Sequence, residues 1–146
     1  MNFKKTTSYS LSILSFMAKN PEKRVSADYL NRMLGIPYQY LRQLLTSLSQ
    51  AGFISGSRGR NGGFVLGRGP EKILLSEIVN SCEGAEVLQR CIMGYTSCQF
   101  NESCPMHEIW ESARKNLVGV LGSTTLTDLI RSAEKSQKQN NKLTVN

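Results

Sequence analysis

A chain of 146 residues with 40% hydrophobic side chains suffices for one domain with an appended arm and needs no disulfide staples to hold a core. No apolar run approaches the ~18 residues of a membrane span, and the start, Met1-Asn2-Phe3-Lys4-Lys5, lacks the pattern of a cleaved leader, so a cytoplasmic protein that does not enter the membrane is expected. The formal net charge of +7 is uneven: residues 1–72 hold 11 Lys/Arg against 3 Asp/Glu, a balance of +8, while residues 73–146 hold 7 against 8, a balance of −1. A uniform solubility charge is excluded, and the first half is the footprint expected for a polyanion.

In chain order, Leu11, Leu14 and Ala18, with Ile13 and Met17 beside them, recur at helical spacing between Thr7 and Lys19. Asn20-Pro21 ends that helix. Ser26 offers an N-cap hydroxyl to a short helix reaching Leu34, and Gly35 supplies its stop. Pro37 suits the first turn of the next helix, where a missing N–H is harmless. There Leu41, Leu44, Leu45 and Leu48 follow i, i+3, i+4, i+7 and predict one buried stripe, while Tyr38, Gln39, Arg42, Gln43 and Thr46 take the opposite face. Two short helices joined by a glycine turn predict a helix-turn-helix. Its second helix enters the major groove, where Arg bridges guanine and Gln bridges adenine.

Phe53–Ser57 and Gly63–Leu66 flank Arg58-Gly59-Arg60-Asn61-Gly62, the pattern of a β-hairpin with a glycine-rich tip. Arg58 and Arg60 supply charge for the phosphates or the minor groove, and glycines such as Gly62 let the backbone approach a phosphate. An Arg-Gly-Arg turn alone is as readily a solvated loop; its place directly after a recognition-like helix favours a wing. The fold class expected is therefore mainly α with a small β-hairpin wing: a winged helix-turn-helix domain over residues 1–84, followed by a long dimerisation helix. The ligand expected for it is double-stranded DNA.

Ile73, Leu74, Leu75, Ile78 and Val79 predict one more short core helix, capped by Ser76 and stopped at Gly84. Cys82, within it, is expected to fill space as a small hydrophobe. Over residues 85–104 periodicity disappears, and a long loop of this kind is usually functional or disordered. Cys91, Cys98 and Cys104 stand there as C-x6-C-x5-C, and the only histidine, His107, follows three residues after the last. Thiolate with imidazole suits iron–sulfur clusters or zinc. Structural zinc favours closer pairs such as C-x2-C, whereas gaps of six and five suit a loop around a larger inorganic core. Cys104 at a helix N-terminus gains from the dipole, and His107 lies on the same helical face. The spacing leaves 2Fe–2S, 4Fe–4S and metal-free thiol chemistry open.

Pro105 is expected to open a helix in which Met106, Trp110, Ala113, Leu117 and Val120 step by 4, 3, 4 and 3 residues, a heptad seam widened by Ile109 and Leu121. Such a seam suits pairing with its counterpart in a homodimer; packing against its own domain is the alternative. Thr125-x-x-Asp128 is a capping box for a last helix carrying Leu126, Leu129 and Ile130. Residues 105–134 are thus expected as dimerisation helices and 135–146 as a polar, disordered tail. An enzyme is not expected. There is no Ser/His/Asp set, P-loop or HExxH pair, and nothing orients a Cys104–His107 dyad.

Gly35-Ile36-Pro37-Tyr38-Gln39-Tyr40-Leu41-Arg42-Gln43-Leu44, the wing from Arg58 to Leu66, Cys91…Cys98…Cys104 and the closing segment Thr125–Ile130 together resemble the Rrf-two family of bacterial winged-helix regulators. The likeness runs from about Phe3 to Ile130, in order and spacing. It implies a homodimer built on the long helix, a cluster held by the three cysteines, and affinity for a near-palindromic operator that changes with cluster state. His107 and Trp110 after Cys104 look like the IscR-type branch, where the histidine completes a 2Fe–2S site. In NsrR-type nitric oxide sensors a carboxylate comes from the N-terminal helix, where this chain has Ser8. Arg42 stands where IscR-like members usually carry Glu, so their base preference is not carried over. The first cysteine gap is one residue longer than the usual five.

Overall fold

The computed structural model describes residues 3–95, 100 and 104–143, with side chains as far as Ser136. Helix α1 (Lys5–Ala18), α2 (Ala27–Leu34) and α3 (Tyr38–Gln50) precede a hairpin of β1 (Ile54–Ser57) and β2 (Gly63–Leu66). After it come α4 (Leu75–Glu83), α5 (His107–Ser123) and α6 (Leu126–Leu143), with short 3-10 turns at Pro70–Lys72 and Ala85–Leu88. This is the expected mainly helical fold with a β-hairpin wing.

Local chemistry accounts for the boundaries. Ser26 accepts a hydrogen bond from the Tyr29 amide (3.1 Å) and starts α2. Gly35 ends it in the left-handed region at φ 65°, where an L side chain is strained. The stripe Leu41, Leu44, Leu45 and Leu48 is buried against Ile13, Leu14, Leu30, Ile36, Ile54 and Ile73. Each such leucine stabilises the fold by roughly 1.5–3 kcal/mol through apolar burial. In the hairpin, Ile54 pairs with Leu66 and Ser57 with Gly63. Val25 extends the pairing: its N–H donates to the Phe64 carbonyl (2.9 Å) and its carbonyl accepts from the Phe64 N–H (2.7 Å). The wing is therefore tied to the segment that leads into α2.

Several expectations need correction. Ser76 does not cap α4 but lies inside it; the helix begins at Leu75, and the Glu77 carboxylate accepts from the Leu74 amide (2.9 Å). Leucine has no side-chain acceptor to return that bond. Pro105 and Met106 form a turn ahead of α5, which begins at His107, and the first helix begins at Lys5, ahead of Thr7. The stretch read as an aperiodic loop opens with the Ala85–Leu88 turn, whose Leu88 is buried. The heptad seam divides: Leu117 and Leu121 pack with Val79 and Leu88, whereas Met106, Ile109, Ala113 and Val120 are exposed. Helix α6 continues to Leu143, into the stretch expected as a tail.

The capping box is complete at the entry to α6. Thr125 Oγ1 and the Thr125 amide both donate to Asp128 Oδ2 (2.7 and 3.0 Å), and the Asp128 amide donates back to Thr125 Oγ1 (3.2 Å). The Leu126 amide donates to the Ile73 carbonyl and the Leu75 amide to the Thr124 carbonyl. Leu126 is fully buried in the main core, so the last helix is rooted in the winged-helix domain. Cys82 packs, partly buried, against that core, as a small hydrophobe does. Among the described residues, no helix is long and apolar enough to cross a membrane.

Candidate functional site

Two surfaces carry the chemistry. The first is the exposed face of α3 with the adjoining wing. Because the leucines of α3 point inward, Tyr38, Gln39, Arg42 and Gln43 all project outward, Tyr38 being 42% exposed. Thr46, also exposed, donates its hydroxyl to the Arg42 carbonyl (3.0 Å) within the helix. Arg58 and Arg60 are exposed at the hairpin tip. Gly62 has a structural reason of its own: a Cβ there would lie 2.6 Å from the Ser57 carbonyl oxygen and 2.8 Å from that of Gly59. Only glycine lets the tip close so tightly, so Gly62 shapes the wing that carries the two arginines.

Further residues support this surface without being evident in the sequence. The Arg24 guanidinium donates to Ser57 Oγ and to the Gly63 carbonyl (3.5 Å), bracing the wing from its flank. Arg68 pairs with Glu77 (2.8 Å) and lies 5.6 Å from the centroid of the Phe53 ring. The bond from the Leu74 amide, and then the Arg68 guanidinium, hold the Glu77 carboxyl below the usual carboxylate range.

The second surface is a cavity of about 340 Å³ between the cysteine loop and the start of α5. Cys91, Cys104 and His107 all line it, with Met93, Phe100 and Trp110 supplying apolar wall. Two clamps from α5 hold the strand of loop just before Cys91: Trp110 Nε1 donates to the Arg90 carbonyl (3.0 Å) and Arg114 to the Gln89 carbonyl (2.9 Å). The Cys91 amide donates to the Tyr95 carbonyl (2.9 Å) and the Gly94 amide to the Cys91 carbonyl (2.8 Å), closing a turn around the first thiol. The His107 amide donates to the Cys104 carbonyl (3.0 Å), which sets the third thiol one turn ahead of the helix. Cys98 lies outside the described residues.

One helical turn beyond His107, Glu111 Oε2 lies 3.9 Å from His107 Nε2, and Lys115 bonds the other oxygen of that carboxylate (2.9 Å). The Lys115 hydrogen bond first, then its charge, and more weakly the charges of His107 and Arg114, lower the Glu111 pKa. Glu111 thus faces the imidazole across one helical turn, as the i, i+4 spacing places it.

The donor chemistry fits an iron–sulfur group. Two thiols and an imidazole face one cavity whose volume is about ten times the ~30 Å³ share of a single water, room for a polyatomic core. Among the described residues, no three His, Cys, Asp or Glu side chains converge closely enough to hold a lone metal ion. Convergence on a larger group asks less of the side chains, and the remaining thiol, Cys98, is outside the described set.

Residues 3–132 match the model of a family named Rrf2 and described as an iron-dependent transcriptional regulator. The HTH-type transcriptional regulator IscR of Xenorhabdus nematophila is 32% identical over 108 residues, covering 74% of this chain and 65% of its own length. Among solved structures, CymR, the global cysteine regulator of B. subtilis, superposes with a TM-score of 0.78 at 28% identity, covering 90% of this chain and 98% of its own. IscR of T. potens superposes with a TM-score of 0.73 at 28% identity, covering 94% and 91%. The relatives are named as regulators of transcription and not as enzymes, in line with the sequence.

Proposed function

The chain belongs to the Rrf2 family of transcriptional regulators, and on that premise we propose that it binds a near-palindromic operator as a homodimer, with an affinity set by an iron–sulfur cluster in the cysteine-loop cavity. The observation that carries this reading is the shared cavity of Cys91, Cys104 and His107. Cys91, Cys98 and Cys104 supply thiolates, and His107 completes the set, which favours 2Fe–2S over 4Fe–4S. Bound there, the cluster supplies one-electron redox chemistry and sensitivity to oxidants and nitric oxide. Trp110 and Arg114 fix the loop beside Cys91, and Glu111 stands one helical turn from the imidazole.

On the DNA side, Gln39, Arg42 and Gln43 read base edges in the major groove, with Tyr38 at the helix start and Arg58 and Arg60 on the phosphates or in the minor groove. The exposed stripe Ile109, Ala113 and Val120 of α5, with Met106 just ahead of it, is the surface for the second copy. We divide the chain accordingly: residues 1–84 read DNA, 85–104 hold the cluster, and 105–134 pair the protomers. Such a protein works in the cytoplasm, beside the DNA it reads.

A second reading has one specific support, the likeness to a regulator described as a global cysteine regulator: Cys91 and Cys104 then act as redox or partner-sensing thiols without metal. Anaerobic purification separates the two. The cluster reading expects brown protein with iron and acid-labile sulfide, lost in Cys91→Ala, Cys98→Ala and Cys104→Ala but kept in Cys82→Ala. His107→Ala is expected to retain a cluster with an altered spectrum. Colourless, iron-free wild type after anaerobic reconstitution would leave the thiol reading standing.

A further inference from the structure

Glu83 is the last residue of α4, immediately ahead of the segment that leads to Cys91. Its side chain is only 3% exposed, although the residue as a whole is partly accessible through its backbone. A carboxylate so far from water is costly unless its oxygens are bonded. Here all its partners come from the first turn of α1. The Lys4 amide donates to Glu83 Oε1 (2.7 Å), the Thr7 hydroxyl donates to the same oxygen, and Lys4 Nζ lies 3.8 Å from Oε2. Thr7 is itself fully buried.

The same turn is gripped from the recognition helix. Thr6 Oγ1 and the Tyr40 hydroxyl of α3 share a 2.7 Å hydrogen bond. The Tyr9 ring meets the Tyr40 ring edge-on, with centroids 5.7 Å apart. Tyr40 sits between Gln39 and Arg42, two of the outward-facing residues. A single helical turn, residues 4–7, therefore joins the beginning of the sensor segment on one side to the reading helix on the other.

We infer that Glu83 is a positioning residue for DNA recognition: through the first turn of α1 and Tyr40 it sets where α3 lies relative to the rest of the domain. Its carboxylate pins the N-terminal end of α1 while Thr6 and Tyr9 fix Tyr40. Loss of either grip lets α3 shift against the wing. Base contacts need side chains held to a fraction of an ångström, whereas phosphate contacts from flexible arginines do not. Displacement of α3 thus erodes sequence discrimination before it erodes general affinity. The inference rests on the DNA-reading part of the proposed function and is independent of the cluster.

The test is a double-mutant cycle on the full-length protein with Glu83→Met, which removes the acceptor of both bonds at similar volume, Tyr40→Phe and both together. The probes are a duplex bearing the best sequence recovered by in vitro selection with the wild type, and an unrelated duplex of equal length. Each single variant should lower the ratio of the two affinities by about 5-fold, while binding to the unrelated duplex stays near wild type. The double variant should lose no more than about the larger single loss. Thr7→Val should reproduce the loss of Glu83→Met and Thr7→Ser should restore it. That pair carries the test if Glu83→Met fails to fold. Multiplicative losses in the cycle, a wild-type ratio in Thr7→Val, or equal losses on both duplexes would overturn the inference. If selection with the wild type recovers no preferred sequence, the DNA-reading premise fails first and the inference falls with it.

Discussion

The winged-helix half and the cysteine-loop half are built on different balances of burial and exposure. In the first, α1 to α4 close around one continuous core from Ile13 to Ile78, joined by Leu126. In the second, the only separate cluster of buried residues among those described is Val79, Leu88 and Leu121. Around it Ile92, Met93, Phe100, Met106, Ile109 and Val120 stay exposed. Apolar surface of that kind on a regulator marks places where something else binds. The winged-helix half closes its core within one chain, whereas the cysteine-loop half leaves apolar side chains uncovered, the surface on which the proposed cluster and second copy would sit.

The largest effect expected from this contrast is on assembly. Ile109 is 64% exposed, so Ile109→Asp should leave the fold of one protomer nearly unchanged, within about 0.5 kcal/mol. A carboxylate in an apolar pairing surface should nonetheless split the dimer. Sedimentation that still reports a dimer of folded protomers would move the interface off α5. Leu117 is the wrong residue for this test because it packs inside its own chain.

Next comes the core itself. Leu45→Ala should cost about 2–5 kcal/mol, as a cavity in a close-packed interior does. Leu88→Ala, in the three-residue cluster, should cost about half as much because the thinly covered site can collapse. Urea denaturation curves for the two variants check the order, and equal losses would erase the distinction between the halves.

On DNA the expected effects are smaller and more selective. Arg42→Ala should cost about 1–3 kcal/mol at the base it reads, whereas Arg60→Ala should weaken binding to all sequences and flatten the salt dependence. Titrations against matched and mismatched duplexes at two salt concentrations distinguish them. Identical specificity profiles for both variants would remove α3 as the reading element.

The smallest effect concerns the joint between wing and α4. Glu77 has a folded-state pKa below its unfolded value, so its contribution is present at neutral pH and is lost as pH falls through the depressed value. Its side chain is about a third exposed, 37%, and solvent screening keeps that contribution below about 1 kcal/mol. Glu77→Gln should therefore be slightly less stable than wild type at pH 7, with the gap closing below about pH 4. A gap that persists at low pH would mean that the substitution acts through packing.

Much of this was legible without coordinates because it is written in short-range patterns. The leucine stripe of α3, the Ser26 cap, the Gly35 stop, the paired strands around the Arg-Gly-Arg tip and the Thr125–Asp128 box each depend on residues only a few positions apart. Their physics is local, so spacing alone identifies them. The cysteines stand out in the sequence for the same reason, since three so close together in one loop are rare.

Contacts between distant parts of the chain were not legible. A step of 4, 3, 4 and 3 residues defines an apolar band along α5, but only the packed neighbours decide which edge is covered. Val79 and Leu88 took Leu117 and Leu121 and left Ile109 and Val120 outside. Likewise Ser76 looked like a cap, yet the bridge of Leu74 to Thr125 fixed the preceding backbone as extended and let Glu77 reach back instead. Glu83 carries no local signal at all: its partners Lys4 and Thr7 lie more than seventy residues away. Sequence by itself determined the family of elements and the chemistry they offer. Tertiary structure decided which apolar and charged groups are satisfied internally, because desolvation is settled by the whole surroundings of a side chain and not by its neighbours in the chain.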